Sequence, residues 1–113
     1  MLTIYHNPRC SKSRQTLDLI KENSTKELNI VEYLKNPISQ DVIEQLLLEL
    51  SCSPIEMMRI KEDEFKQQNL KGADDKTLIS AMVATPKLIE RPIVSNGTIA
   101  VIGRPPTNAL PLC

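Results

Sequence analysis

The sequence carries no excess of either charge: fourteen lysines and arginines balance fourteen aspartates and glutamates over 113 residues. Without a global positive field nothing draws the chain to nucleic acid or to an anionic membrane, so an anion must be held by a local arrangement. No apolar run approaches the length of a membrane span, and the N-terminus passes into a strand pattern with no charged leader or long apolar core before it, from which a cytoplasmic location is expected. The three cysteines, at 10, 52 and 113, have neither the spacing of a disulfide framework nor that of a zinc site. Reduced, intracellular thiols fit that pattern. There is no internal repeat, low-complexity stretch or linker, and the length suits one ordinary core, so a single domain over residues 1–113 is expected.

What is present is organised around Tyr5-His6-Asn7-Pro8-Arg9-Cys10-Ser11-Lys12-Ser13-Arg14, the passage from a short strand into an amphipathic helix. A cysteine there meets unpaired backbone N–H groups and the positive end of the helix dipole, both of which favour a thiolate. Such surroundings lower a free cysteine's pKa from ~8.5 to ~3.5–7.5. Arg9 and Arg14 flank the thiol, Lys12 adds charge and His6 stands four residues upstream. The same amides and cations, Arg14 among them, would hold an oxyanion beside the sulfur. Free cysteines are usually small buried hydrophobes, but the neighbours of Cys10 are polar and cationic.

Leu2 to His6 alternates apolar and polar residues, the pattern of a strand, and Asn7-Pro8 breaks it. A helix is expected from Cys10 or Ser11, with Thr16, Leu17 and Ile20 on its apolar face and Asn23-Ser24 at its end. Leu28 to Tyr33 reads as a second strand, making a right-handed βαβ opening with parallel strands. Ser39 caps a helix carrying Val42, Ile43, Leu46, Leu47 and Leu50. Ser53-Pro54 begins a short helix through Met57, Met58 and Arg59, the methionines filling core. Lys61 to Leu70 reads as a charged surface helix, and Asp74-Asp75-Lys76 leads into another that carries Leu78, Ile79, Met82 and Val83 and ends before Pro86. Asn96-Gly97 between two β-branched runs predicts a hairpin with a type I′ turn. Thr107 to Leu112 allows at most a short helical turn before Pro111. The fold expected is α/β: a small mixed sheet with helices on both faces, and a helical lobe within residues 39–84.

Arg91 stands directly before the proline that opens the hairpin, and Arg104 directly after its second strand. Were the sheet to bring both near Cys10, their guanidiniums would clasp one anion with paired hydrogen bonds, with Arg59 as a third. Taken singly, each has the composition of an ordinary surface arginine.

These residues resemble the glutaredoxin-coupled arsenate reductases, a family of thioredoxin-like fold with a helical insertion. His6-Asn7-Pro8-Arg9-Cys10 with Ser13-Arg14 is similar to the family's active-site segment, Arg91-Pro92-Ile93-Val94 to its second signature and Gly103-Arg104-Pro105 to its third. The resemblance implies that Cys10 is the nucleophile, that His6 and Ser13 help keep it ionised, that Arg59, Arg91 and Arg104 bind the anion, and that the bond before Pro92 is cis. It further implies reduction of arsenate or a similar oxyanion through a covalent Cys10 adduct. With no neighbouring partner cysteine, glutathione would resolve that adduct and glutaredoxin the mixed disulfide, with no metal or bound cofactor. A monomer is expected. Ser11-Lys12 replaces the family's usual small residues, and the chain stops soon after Arg104, as in a shorter branch.

The alternative is a non-catalytic thioredoxin-like binding module or an Spx-type transcription regulator. Spx regulators commonly sense oxidation through Cys-x-x-Cys, and here Ser13 holds the second position. A phosphatase-like Cys-x5-Arg loop is excluded, because Thr16 stands where its arginine belongs. Cys52 reads as structural; a resolving role for Cys113 would require a mobile tail.

Overall fold

Alternation builds the sheet. In β1 (Leu2–Tyr5) Leu2 and Ile4 are buried toward one face while Thr3 and Tyr5 turn to the other. The computed structural model describes residues 1–113, and β1 lies inside a four-stranded sheet of order β2-β1-β3-β4. β2 (Leu28–Val31) pairs parallel to β1, with Leu2 opposite Leu28 and Tyr5 opposite Val31. β3 (Ile93–Ser95) runs antiparallel on its other side, with Tyr5 opposite Ile93, and β4 (Ala100–Ile102) closes the edge antiparallel to β3.

The period of two sorts the core into two layers. Leu2, Ile4 and Val94 face Ile20 of α1 (Ser11–Asn23) and Ala109 and Leu112 of a C-terminal 3-10 helix. On the opposite face Ile93 and Ala100 pack with Tyr33, with Ile43 and Leu46 of α2 (Gln40–Leu50), and with Leu78 and Met82 of α4 (Asp75–Ala84). Burying each large aliphatic side chain contributes about 1.5–3 kcal/mol, so these layers fix where the strand ends fall. The chain thus has the expected thioredoxin-like mixed sheet flanked by helices. Its insertion is the helical segment between β2 and β3, including α3 (Asp63–Gln67) and Phe65 and Leu70 of the larger core layer.

The helix starts expected at Ser39 and Ser53 are capped, and Asp74 caps a third. Ser39 Oγ accepts from Val42 N at 3.3 Å, and Asp74 Oδ1 accepts from Thr77 N at 2.8 Å. Ser53 N donates to Glu56 Oε1 at 3.2 Å, closing a 3-10 turn over Pro54–Met57. That turn stops short of Met58, which forms a β-bridge with Ile89, so Arg59 leaves it in extended chain.

Three expectations are corrected. The helix expected over Lys61 to Leu70 contracts to α3, because Asn69 adopts a left-handed φ of 53° and Leu70 N turns back to donate to Phe65 O. The hairpin turn centres on Gly97-Thr98: Asn96 N donates to Ile99 O, and only Gly97 has positive φ, where type I′ needs two such residues. Asn96 instead uses its side chain, accepting from Thr98 N and Ile99 N. The C-terminal segment is a 3-10 helix over Pro106–Leu112 that continues past Pro111, with Ala109 and Leu112 seated in the core. The peptide bonds before Pro92 and Pro105 are both cis. No helix is long and apolar enough to cross a membrane.

Candidate active site

Cys10 is the N-cap of α1, in extended conformation, with its own N–H donating to Asn7 O at 3.0 Å and its carbonyl accepting from Arg14 N. Its sulfur therefore sits over the first turn of a thirteen-residue helix, where the backbone N–H groups have no intrahelical acceptor. Burial pushes the thiol up, but the Ser13 N–H, the Arg91 guanidinium and the Lys12 N–H together outweigh it and hold Cys10 below the usual cysteine range. Arg104 adds a direct contact, Nη2 lying 3.5 Å from Sγ.

The loop before the helix is braced from within. Ser13 is fully buried; its Oγ accepts from Asn7 N at 3.0 Å and lies 2.6 Å from His6 Nδ1. Asn7 Oδ1 in turn accepts from Arg9 N. Burial lowers the His6 pKa, with Glu32 opposing and Lys21 and Arg14 adding to the lowering. His6 is joined to Cys10 through the position of Ser13. Arg14 Nη1 donates to Pro8 O at 2.9 Å, which ties the helix to the loop, and its guanidinium makes no hydrogen bond to the Cys10 sulfur.

Arg91 and Arg104 do converge on the sulfur. Arg104 Nε donates to the Arg91 carbonyl at 2.7 Å, locking the two hairpin ends together. Gly103 makes that approach feasible: a Cβ there would lie 2.7 Å from Thr16 Oγ1 and 2.8 Å from Pro92 Cγ. Its N–H donates to Pro92 O at 2.9 Å, so α1, β4 and the start of β3 meet at one glycine. Arg59 faces Arg104 across a cavity of about 270 Å³ lined also by Glu62 and Glu90, and its Nε donates to Glu62 Oε1 at 2.8 Å. A larger cavity of about 540 Å³ on the helical lobe is lined by Ile55, Ile60, Phe65 and Leu70, and no cysteine lines it.

A profile of the ArsC family matches residues 5–111. The chain belongs to the ArsC family. It is 40% identical over 110 residues to an arsenate reductase of Haemophilus influenzae, covering 95% of this chain and 94% of that one. It is 50% identical to protein YfgD of Escherichia coli, covering 95% and 92%. The solved structure of an arsenate reductase from Vibrio cholerae superposes with a TM-score of 0.91 at 42% identity, covering 99% of this chain and 97% of that one.

Sequence reasoning missed three residues that shape this ArsC-family site. Tyr33 is fully buried with an unpartnered hydroxyl; burial raises its pKa while Arg91 and Arg59 pull it back. Arg91 Nε is likewise buried without an acceptor. Glu62 and Glu90 supply carboxylates beside the guanidiniums, Glu90 at 3.7 Å from Arg104 Nε. Their only signal was adjacency to named arginines, Glu90 directly before Arg91 and Glu62 three residues past Arg59. Cys52 has its pKa raised by burial and by Glu56. Cys113 packs against the α1 face of the sheet, beside Leu112, whose carbonyl accepts from Lys26 Nζ at 2.9 Å. Lys26 lies just past the C-terminal end of α1, about 20 Å of helix from Cys10 at 1.5 Å per residue.

Proposed function

We propose that this chain reduces arsenate to arsenite through a covalent adduct on Cys10. The observation that carries the reading is the sulfur itself: a depressed-pKa thiol at a helix N-terminus, with Arg104 at 3.5 Å and the Arg91 guanidinium acting on it. The Cys10 thiolate attacks arsenic of dihydrogen arsenate, an S–As bond forms, and one oxygen leaves as water with a proton taken from solvent. Arsenic remains pentavalent in that adduct. Glutathione then attacks; a disulfide forms between the two sulfurs, the S–As bond breaks, and its electron pair leaves with arsenic as arsenite. A glutaredoxin thiol takes the glutathione by exchange and returns Cys10 to the thiol.

Arg91 and Arg104 serve as the oxyanion clamp, with Arg59 on the far wall. Their planar forks neutralise oxygens where charge shifts during attack. His6 and Ser13 are positioning residues that hold the Ser13 N–H against the sulfur, and Arg14 braces the loop. Resolution by an external thiol is supported by Ser13, which stands where a Cys-x-x-Cys partner would, and by Cys113 packing with Leu112 against the α1 face of the sheet. The relatives that bear the name arsenate reductase support the substrate; the arginine clamp supports the route.

The test is arsenate-dependent NADPH oxidation coupled through glutathione, glutaredoxin and glutathione reductase. Wild type turns over, Cys10→Ser does not, and Cys52→Ser with Cys113→Ser keeps wild-type activity. No turnover by wild type at any arsenate concentration would contradict the reading.

A further inference from the structure

We infer that Glu90 makes this site demand a hydroxyl on its anion, so that it admits protonated tetrahedral oxyanions such as arsenate and phosphate and turns away sulfate. This rests on the oxyanion reading of the site at Cys10 and adds a specificity-determining residue to it, through Arg104, whose Nη2 lies 3.5 Å from Cys10 Sγ and whose Nε lies 3.7 Å from Glu90 Oε2.

The two carboxylates of the cavity differ in how they are occupied. Glu62 Oε1 accepts from Arg59 Nε at 2.8 Å, and its Oε2 lies 3.6 Å from Lys87 Nζ. Glu90 has one cation near it, Arg104 Nε at 3.7 Å, but that N–H already donates to the Arg91 carbonyl at 2.7 Å. No side chain or backbone group donates a hydrogen bond to the Glu90 carboxylate, although the side chain is only 22% exposed. Its backbone is fixed: Glu90 N donates to Met57 O at 2.8 Å, next to the Met58–Ile89 bridge. An acceptor-only group is thereby held in a cavity that Arg59, Lys61 and Arg104 also line.

A tetrahedral oxyanion with no proton has only acceptors to present, and an oxygen turned toward Glu90 meets another acceptor. An oxyanion with a hydroxyl donates to the carboxylate while its other oxygens take the arginines, and each of these bonds is charge-assisted. A site that expects a donor penalises the isosteric ligand lacking it, because its own polar group is left unpaired.

Phosphate and sulfate isolate the effect. At mildly alkaline pH they share shape and a double negative charge and differ by one proton. Protection of Cys10 from iodoacetamide by each anion reads the preference. In wild-type protein arsenate and phosphate protect at concentrations where sulfate does not. Glu90→Gln, whose amide donates as well as accepts, and Glu90→Ala each shift the phosphate-to-sulfate ratio toward sulfate by about ten- to a hundredfold, the size of one hydrogen bond to a charged group. The ratio discounts any general gain in anion affinity from removing a negative charge. An unchanged ratio in both variants, with arsenate still protecting wild type, overturns the role of Glu90 and leaves the arsenate reading standing. Failure of arsenate to protect wild-type Cys10 overturns both.

Discussion

Three helices of this protein begin in the same backbone conformation and use their first turns differently. At α2 and α4 the N-cap side chain, Ser39 or Asp74, accepts from the helix's own N–H groups. Such a cap contributes about 1 kcal/mol and leaves that end of the helix chemically inert. At α1 the N-cap is Cys10, which makes no conventional cap bond; the Ser13 and Lys12 N–H groups act on its sulfur instead. One geometry is therefore a structural stop in two places and an anion site in the third. What separates them is the N-cap side chain and the arrival of Arg91 and Arg104 from the hairpin.

The largest expected effect comes from converting the third start into the other kind. Cys10→Ser installs an ordinary cap, so arsenate-dependent turnover is lost while thermal stability stays within about 1 kcal/mol of wild type. Because the folded pKa of Cys10 is depressed, its contribution to folding is present above the ordinary cysteine range and lost as pH falls through the lowered value. Cys10→Ser removes that slope, which denaturant titrations across pH would reveal.

Removing a cation tests the second ingredient. Arg104→Ala raises the Cys10 pKa and weakens arsenate protection by about ten- to a hundredfold, and lysine at 104 restores part of it, because charge returns without the fork. Isothermal titration with phosphate measures the affinity loss without turnover. Gly103→Ala acts on the joint that brings the cations to the helix: a methyl 2.7 Å from Thr16 Oγ1 forces α1 and the hairpin apart. The expected cost is about 1–3 kcal/mol in denaturant unfolding, with a raised Cys10 pKa alongside it. Asp74→Ala is the control at the small end, costing about 1 kcal/mol of stability with turnover unchanged, since its cap lies on the helical lobe.

Much of this was legible in the sequence. The strand alternation of Leu2 to Tyr5, the cap at Ser39, the start of a helix after Asp74, and the cationic setting of Cys10 are local patterns that nearby residues decide. The surface helix at 61–70 was overextended because lysine and glutamate are good helix formers, while burying Phe65 and Leu70 together bends the chain at Asn69. Pro111 has the look of a helix stop, yet the bonds of the C-terminal 3-10 helix step around it, Asn108 N to Pro105 O and Cys113 N to Leu110 O. Convergence of Arg91 and Arg104 followed from the family resemblance rather than from periodicity. The roles of Tyr33 and Glu90 depend on which side chains a folded sheet brings to the sulfur, and no local spacing encodes that.

The central claim is that Cys10 is a thiolate because helix amides and hairpin arginines meet at its sulfur. Iodoacetamide labelling rates followed across pH by peptide mass spectrometry test it most directly, with Cys52 as the internal reference. The account predicts that Cys10 becomes reactive well below the pH at which Cys52 does, since one thiol is lowered and the other raised by burial and Glu56. The two midpoints draw together in Arg104→Ala. Equal midpoints for Cys10 and Cys52 in the wild-type protein would contradict it.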